Sequence, residues 1–399
     1  MVSSVRNPIW LPAAPKPGAL AFGVLFAIES IARASISAVV SVQAYDLLQS
    51  SQHVSLLFTA VGMLSLCGTL VVPLLIRWTA RRFAYTFGAL CLITAAALFA
   101  TFTIGGQVAA MSVRIFGAAC LNVTTSLYIL DHIRKADLVR SEPLRLSFST
   151  VSWTIGPGLG VWLYTGYGVW APQVFSAACT VVLLGLFWYL RLSENPAIKP
   201  GASQAGNPLL SVRRFAAQPR LRLAWLIAFG RSCFWSSFFI YAPLLMITSG
   251  LGKDAGGLLV SAGNAVLITA VLFGRVAERV SVRTVIVGAF IGIAITTIGA
   301  GIAGTGMPVV AALLLLAASV GAAALDSVGG IPFLRSVRYH ERAEMTGVYR
   351  TYIDIADLLP PFLYSLILFF FPLGSVFVVL GFWSLVCAWF AWRYMPKSM

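Results

Sequence analysis

Charge is what this sequence has least of. Only 10% of its 399 residues are Asp, Glu, Lys or Arg, 59% are hydrophobic, and the mean hydropathy is +0.89. A soluble domain of this length needs far more charge to stay in solution, so that class is excluded. Histidine is nearly absent, with only His53, His132 and His340, all far apart. The six cysteines are Cys67, Cys91, Cys120, Cys179, Cys233 and Cys387, and none belongs to a CxxC pair. That spacing excludes the common zinc and thiol-redox motifs, and the cysteines read as small apolar residues inside hydrophobic runs. There is no phosphate loop, nucleophile elbow or metal-ligand pair. An enzyme, an ATP-driven cycle and any cofactor or metal site are therefore not expected.

What the chain has is long apolar runs. Windows of about 20 residues give spans near 18–42, 54–76, 83–103, 106–130, 146–167 and 169–190, then 223–247, 255–274, 283–303, 307–328, 346–370 and 373–393. Runs of this length are helices rather than tilted barrel strands, which predicts an all-α membrane protein of twelve spans. The first run carries Glu29 and Arg33, odd guests in a cleaved leader, so it is kept as a span. The basic residues set the orientation. Twenty-three of the 28 Lys and Arg fall on one set of loops and both tails, and only Lys253 falls on the other side. This asymmetry predicts that both termini are cytoplasmic, in a bacterial inner membrane. The net charge of +15 is thus topology, dispersed over short loops, and no nucleic-acid partner is expected.

A polar stretch at 191–222 separates two runs of six spans. It predicts an N-terminal bundle over 1–190, a cytoplasmic linker over 191–222 and a C-terminal bundle over 223–399. An internal repeat agrees. "PLLIRWTARR" at 73–82 follows span 2, and "GRVAERVSVR" at 274–283 follows span 8, about half the chain later.

The second copy resembles the loop signature of the major facilitator superfamily, through Gly274, Ala277, Glu278, Arg279 and Arg283. The first copy is degenerate, with Pro73 at the glycine position and Arg77 where the signature has an acid. "RIFGAA" from Arg114 is similar to the family's span-4 arginine motif, one residue shorter. "GPGLG" at Gly156, Pro157 and Gly160 resembles its span-5 antiporter motif. The resemblance implies two pseudo-symmetric six-helix bundles around a central cavity and alternating access by rocking. It implies gating or structural roles for Gly156, Pro157, Gly160, Gly274, Glu278 and Arg279, while Arg350 reads as structural from its spacing to Asp354.

Four arginines remain inside spans: Arg33, Arg114, Arg231 and Arg350. Charge at the bilayer centre is costly, so such residues face a wet cavity or a partner. Glu29 lies ~17 Å along span 1, near the midplane, and Arg33 is one turn later on the same face. The pair reads either as a static brace or as a switch that responds to ligand and proton. Arg231 on span 7 lies one turn from the position related to Arg33 by the repeat. Together they offer two planar forks to one carboxylate or phosphate. Arg114 either adds to that field or braces span 1. On span 11, Asp354 is placed to neutralise Arg350, which leaves Asp357 as an acid without a local cation. Asp326 reads as a cap or a partner for a loop arginine. Asn122, Asn264 and Trp235 join the candidate substrate contacts.

The expectation is a monomeric secondary transporter that exports a small organic anion with proton coupling. Arg33, Arg231 and Arg114 would hold substrate, and Glu29, Asp357 and Asp354 would carry protons. A multidrug proton antiporter, whose arginines only tune the acids, and an uptake symporter are the alternatives.

Overall fold

The computed structural model describes residues 19–78, 81–132, 135–190, 208–338 and 341–396. Among these there are helices and no strands. The first six helices are α1 (Ala19–Leu48), α2 (Ser51–Trp78), α3 (Arg81–Ala100), α4 (Ile104–His132), α5 (Lys135–Tyr167) and α6 (Trp170–Tyr189). Then come α7 (Pro208–Ala217), α8 (Pro219–Thr248), α9 (Lys253–Ala265), α10 (Ala270–Arg279), α11 (Val282–Ala303), α12 (Pro308–Val328), α13 (Ile331–Ser336), α14 (Arg342–Ile367) and α15 (Gly374–Tyr394). A 3-10 turn over Val266–Thr269 joins α9 to α10.

Nine stretches among the described residues are long and apolar enough to cross a bilayer, one of them running through α9 and α10 as Lys253–Arg279. Helices α2, α5 and α14 run among them, which accommodates the twelve expected. Helix α14 is rich in charge for a span: its sequence carries Arg342, Glu344, Arg350, Asp354 and Asp357. The outer surface is apolar: Phe369, Phe370 and Ile302 are among many exposed large hydrophobic residues, as a lipid-facing surface requires.

The segment read as a polar linker is not all irregular. Residues 191–207 lie outside the described residues, but α7 forms within it and α8 starts at Pro219 rather than 223. Pro208 and Pro219 both stand at first helical positions, where a missing N–H costs nothing. Phe215 on α7 is buried against Leu221, Ala224 and Phe333, so tertiary packing holds this short helix.

Lipid tails are as apolar as leucine, so helices in a bilayer gain from close contact rather than from hiding apolar surface. Helix α5 meets α1 at its glycines. A Cβ on Gly156 would sit 2.5 Å from Ala34 Cβ, and one on Gly160 would collide with the Ser35 carbonyl oxygen. Buried polar side chains add interhelical bonds. Gln43 donates to the Phe99 carbonyl at 2.7 Å, Gln107 to Val40 at 3.0 Å, and Ser176 to Ala32 at 2.7 Å.

The early and late helices are tied at the end away from α7. Lys253 Nζ lies 2.6 Å from Asp46 Oδ2, and the Tyr164 hydroxyl donates to the same oxygen at 2.6 Å. Thr165 donates to Asp254 at 2.7 Å, the Gly158 amide to Ser261 Oγ at 2.8 Å, and Ser55 bonds Tyr241 at 2.7 Å.

The α1–α5 contact predicts that Gly160→Ala forces the helices apart at a cost of about 1–3 kcal/mol, the usual range for overpacking. Gly166 on the same helix has nothing within 4 Å of an added Cβ. Thermal unfolding in detergent should show a clear fall in midpoint for Gly160→Ala and none for Gly166→Ala. Equal midpoints would contradict the contact.

Candidate functional site

Helix α1 carries the first charge cluster at its interior turns. Glu29 is 1% exposed. Arg33 Nη1 donates to Glu29 Oε1 at 3.2 Å and to Asn122 Oδ1 of α4 at 3.3 Å. Arg114, also on α4, donates through Nη2 to the Arg33 carbonyl at 3.1 Å. Of the two readings of Arg114, bracing of α1 is the one with a bond behind it. Serine hydroxyls in membrane helices bond to backbone, and Ser152 of α5 donates to the Ala27 carbonyl at 3.2 Å, which fixes α5 beside the cluster.

The second cluster joins three late helices. Arg231 of α8 donates through Nη1 to Asp326 Oδ1 of α12 at 2.6 Å and through Nη2 to the Tyr352 hydroxyl of α14 at 3.0 Å. Its guanidinium carbon lies 5.5 Å from the centre of the Tyr352 ring, within cation–π range. Trp235, one turn after Arg231, donates its indole N–H to Asp326 Oδ2 at 2.8 Å. Both carboxylate oxygens are thus engaged, while Arg231 Nε is buried without a partner among the described residues.

This corrects the expectation for Asp326, which neither caps α12 nor pairs with a loop arginine. It reaches across to α8, because a guanidinium at that depth needs a counter-charge. Trp235, expected near substrate, is held by that carboxylate.

The two clusters share a property. The side chains of Arg33, Arg231 and Asp326 are each exposed by 21–26%, whereas that of Glu29 is exposed by 2%. The arginines therefore open onto accessible space and Glu29 backs Arg33 from within. Aromatic rings span the gap between the helix groups. Trp153 of α5 lies 5.5 Å from Phe239 of α8, and Phe239 lies 6.1 Å from Trp235.

Asp357, midway along α14, is exposed. Asp354 is half-buried one turn earlier and Arg350 is exposed. Asn264 is placed differently from its sequence reading: it is 3% exposed and its amide donates to Val260 of its own helix at 2.9 Å. It closes the last turn before the 3-10 segment and does not face open space. Gly156 and Gly160 seat α5 on α1, with Pro157 between them. Gly274 approaches Ser327 of α12, and Glu278 and Arg279 are exposed at the end of α10.

Sequence reading missed the Asp46–Tyr164–Lys253 tie. One signal was available: Lys253 is the single basic residue on its side of the chain, so any acid near it was its natural partner.

Comparison with known proteins follows from this architecture. A crystal structure of a POT family transporter in complex with 5-aminolevulinic acid is similar over 96% of this chain and 99% of that one, with a TM-score of 0.76 and 14% identity. A nucleoside transporter, NupG, is similar over 94% and 99%, with a TM-score of 0.70 and 14% identity. A D-xylose-proton symporter is similar over 95% and 98%, with a TM-score of 0.71 and 14% identity. A search of curated protein sequences gives no significant match. The family profile described as Major Facilitator Superfamily matches residues 20–358. With that match over most of its length, an all-helical membrane-embedded build and transporters as its structural likenesses, the chain belongs to the Major Facilitator Superfamily and is a membrane transporter rather than an enzyme.

Proposed function

We propose that the protein is a proton-coupled secondary transporter of a small organic anion, a carboxylate or phosphate-bearing solute, working by alternating access between residues 1–190 and 223–399. One observation carries this reading. Each group of helices places one arginine inside the protein, Arg33 and Arg231, paired to an acid and partly open to accessible space. A guanidinium is a planar fork that binds carboxylate or phosphate through two charge-assisted bonds. In the empty protein Glu29 and Asp326 occupy those forks, which limits the cost of holding charge in the membrane. An arriving anion takes their place, and the acid so released binds a proton.

Anion and proton then bind together. Export driven by inward protons needs a further acid where the two exclude each other, and Asp357 is the residue proposed for it. It stands exposed midway along α14. The α5 glycines seated on α1 next to Arg33 support the outward reading. The second reading is uptake by symport, favoured by the pairing itself, because joint binding alone drives anion inward with protons. The likeness to a D-xylose-proton symporter is one of fold and does not choose between them.

Proteoliposome flux of carboxylates, phosphate esters and cationic dyes, with and without a pH gradient, tests the substrate class. Anions should move and dyes should not. Movement of dyes alone would replace this reading with a multidrug antiporter. Arg33→Gln and Arg231→Gln should each weaken anion binding by about 10- to 150-fold, the equivalent of 1.5–3 kcal/mol for a charged hydrogen bond. Lysine at either position should restore only part of it. Normal binding by both glutamine variants would remove the arginines from the site.

Direction has its own test. Asp357→Asn should abolish efflux driven by a pH gradient and leave anion–anion exchange intact. If driven efflux persists in that variant, Asp357 does not couple and uptake by symport is the reading that remains.

A further inference from the structure

A cavity of about 760 Å³ lies away from both arginine clusters, between α7, the first turns of α8, α14 and the end of α15. Its size falls within the roughly 300–1,000 Å³ range of small-molecule sites. Most of the wall is apolar, including Leu223, Leu226 and Phe390, and no acidic residue lines it among the described residues. Arg220 and Arg222 stand at it, both exposed and neither ion-paired among the described residues. Ser336 Oγ, also in the wall, is buried without a hydrogen-bond partner among the described residues.

Its surroundings match the edge of a bilayer. Tyr394 of α15 lines it and is exposed, with exposed Trp389 6.2 Å from its ring, the residue types that settle at headgroup level. Helix α7 buries Phe215 and exposes Arg213 and Arg214, the pattern of a helix lying in the interface. The face is the arginine-rich one, which the basic-residue count makes cytoplasmic. An occupant must therefore be apolar along most of its length, anionic at one end and supplied from that leaflet.

We propose that this cavity binds one anionic phospholipid of the leaflet on the arginine-rich face, with its phosphate at Arg220 and Arg222 and an acyl chain against Leu223, Leu226 and Phe390. The lipid wedges α7 against α14 and α15 and so ties the connecting segment to the later helices. This site is separate from the transported solute and stands whether or not the solute is an anion.

The test uses the full-length protein, stripped of lipid in neutral detergent at physiological salt, where diffuse surface attraction is screened. Phosphatidylglycerol or phosphatidylcholine is added back, and bound lipid is read by native mass spectrometry. Wild type should retain phosphatidylglycerol and not phosphatidylcholine. Replacing Arg220 and Arg222 together by Gln should weaken retention by about tenfold or more, given roughly tenfold affinity per 1.4 kcal/mol and about 1 kcal/mol per basic residue. Replacing Arg213 and Arg214 together by Gln removes the same charge from the same surface outside the cavity wall and, with diffuse attraction screened, should leave retention within about twofold. Should the Arg220/Arg222 variant not fold, Leu226→Trp, which fills the cavity, must show the loss instead. Equal retention by all forms, equal loss in both double variants, or displacement by millimolar inorganic phosphate would each overturn the proposal. So would a wild type that retains no phosphatidylglycerol.

Discussion

A guanidinium cannot be neutralised by losing its proton, so an arginine inside a membrane must be given a counter-charge or water. Insertion scales put an uncompensated arginine at mid-bilayer at about 2.5–3.5 kcal/mol. The interior of this protein is arranged around that constraint. Arg33 is backed by Glu29 and steadied by Asn122, and Arg231 is clasped by Asp326 with Tyr352 alongside. The acids have almost no other reason to be there, in a chain with only 13 of them. Removing one partner leaves the other as a buried unpaired charge, which costs more than the pair ever contributed. Under the proposed function a substrate anion replaces the acid at the guanidinium and a proton neutralises the acid it displaces, so neither is left as an unpaired charge.

Packing serves the same clusters. The close approach of α5 to α1 at Gly156 and Gly160 falls within one turn of Arg33, where a side chain would push the helices apart. The far end is closed by the Asp46–Tyr164–Lys253 tie and by Thr165 with Asp254. These are exposed or half-buried polar bonds, individually modest and easily exchanged for water. Under the proposed alternating access, a contact that opens in each cycle is better made from such bonds than from interlocked apolar side chains.

Much of this was legible in the sequence, and the reasons are physical. Long apolar runs and one-sided arginines are strong signals because the bilayer enforces them at every span, so the helices fell near their expected bounds. Glu29 and Arg33 could be paired because one helical turn separates them. Asp326 could not be paired with Arg231 from sequence, since they lie 95 residues apart on helices whose relative rotation no local pattern encodes. The placement of Asn264 was not legible for the same reason: polarity marks a residue for burial or for a cavity, and only packing says which. Helix α7 was missed because its ten residues, interrupted by Arg213 and Arg214, are too short for a window of about 20 residues, and it is held by the surface that Phe215 buries against.

The central claim is that anion and proton meet through the arginine–acid pairs. Proton uptake on anion binding, followed with a pH indicator in weakly buffered detergent, tests it most directly. The account predicts that wild type takes up protons as the anion saturates, and that the protein with Glu29→Gln and Asp326→Asn together binds anion with no uptake. Identical uptake by the two proteins would contradict it and leave both pairs as static braces.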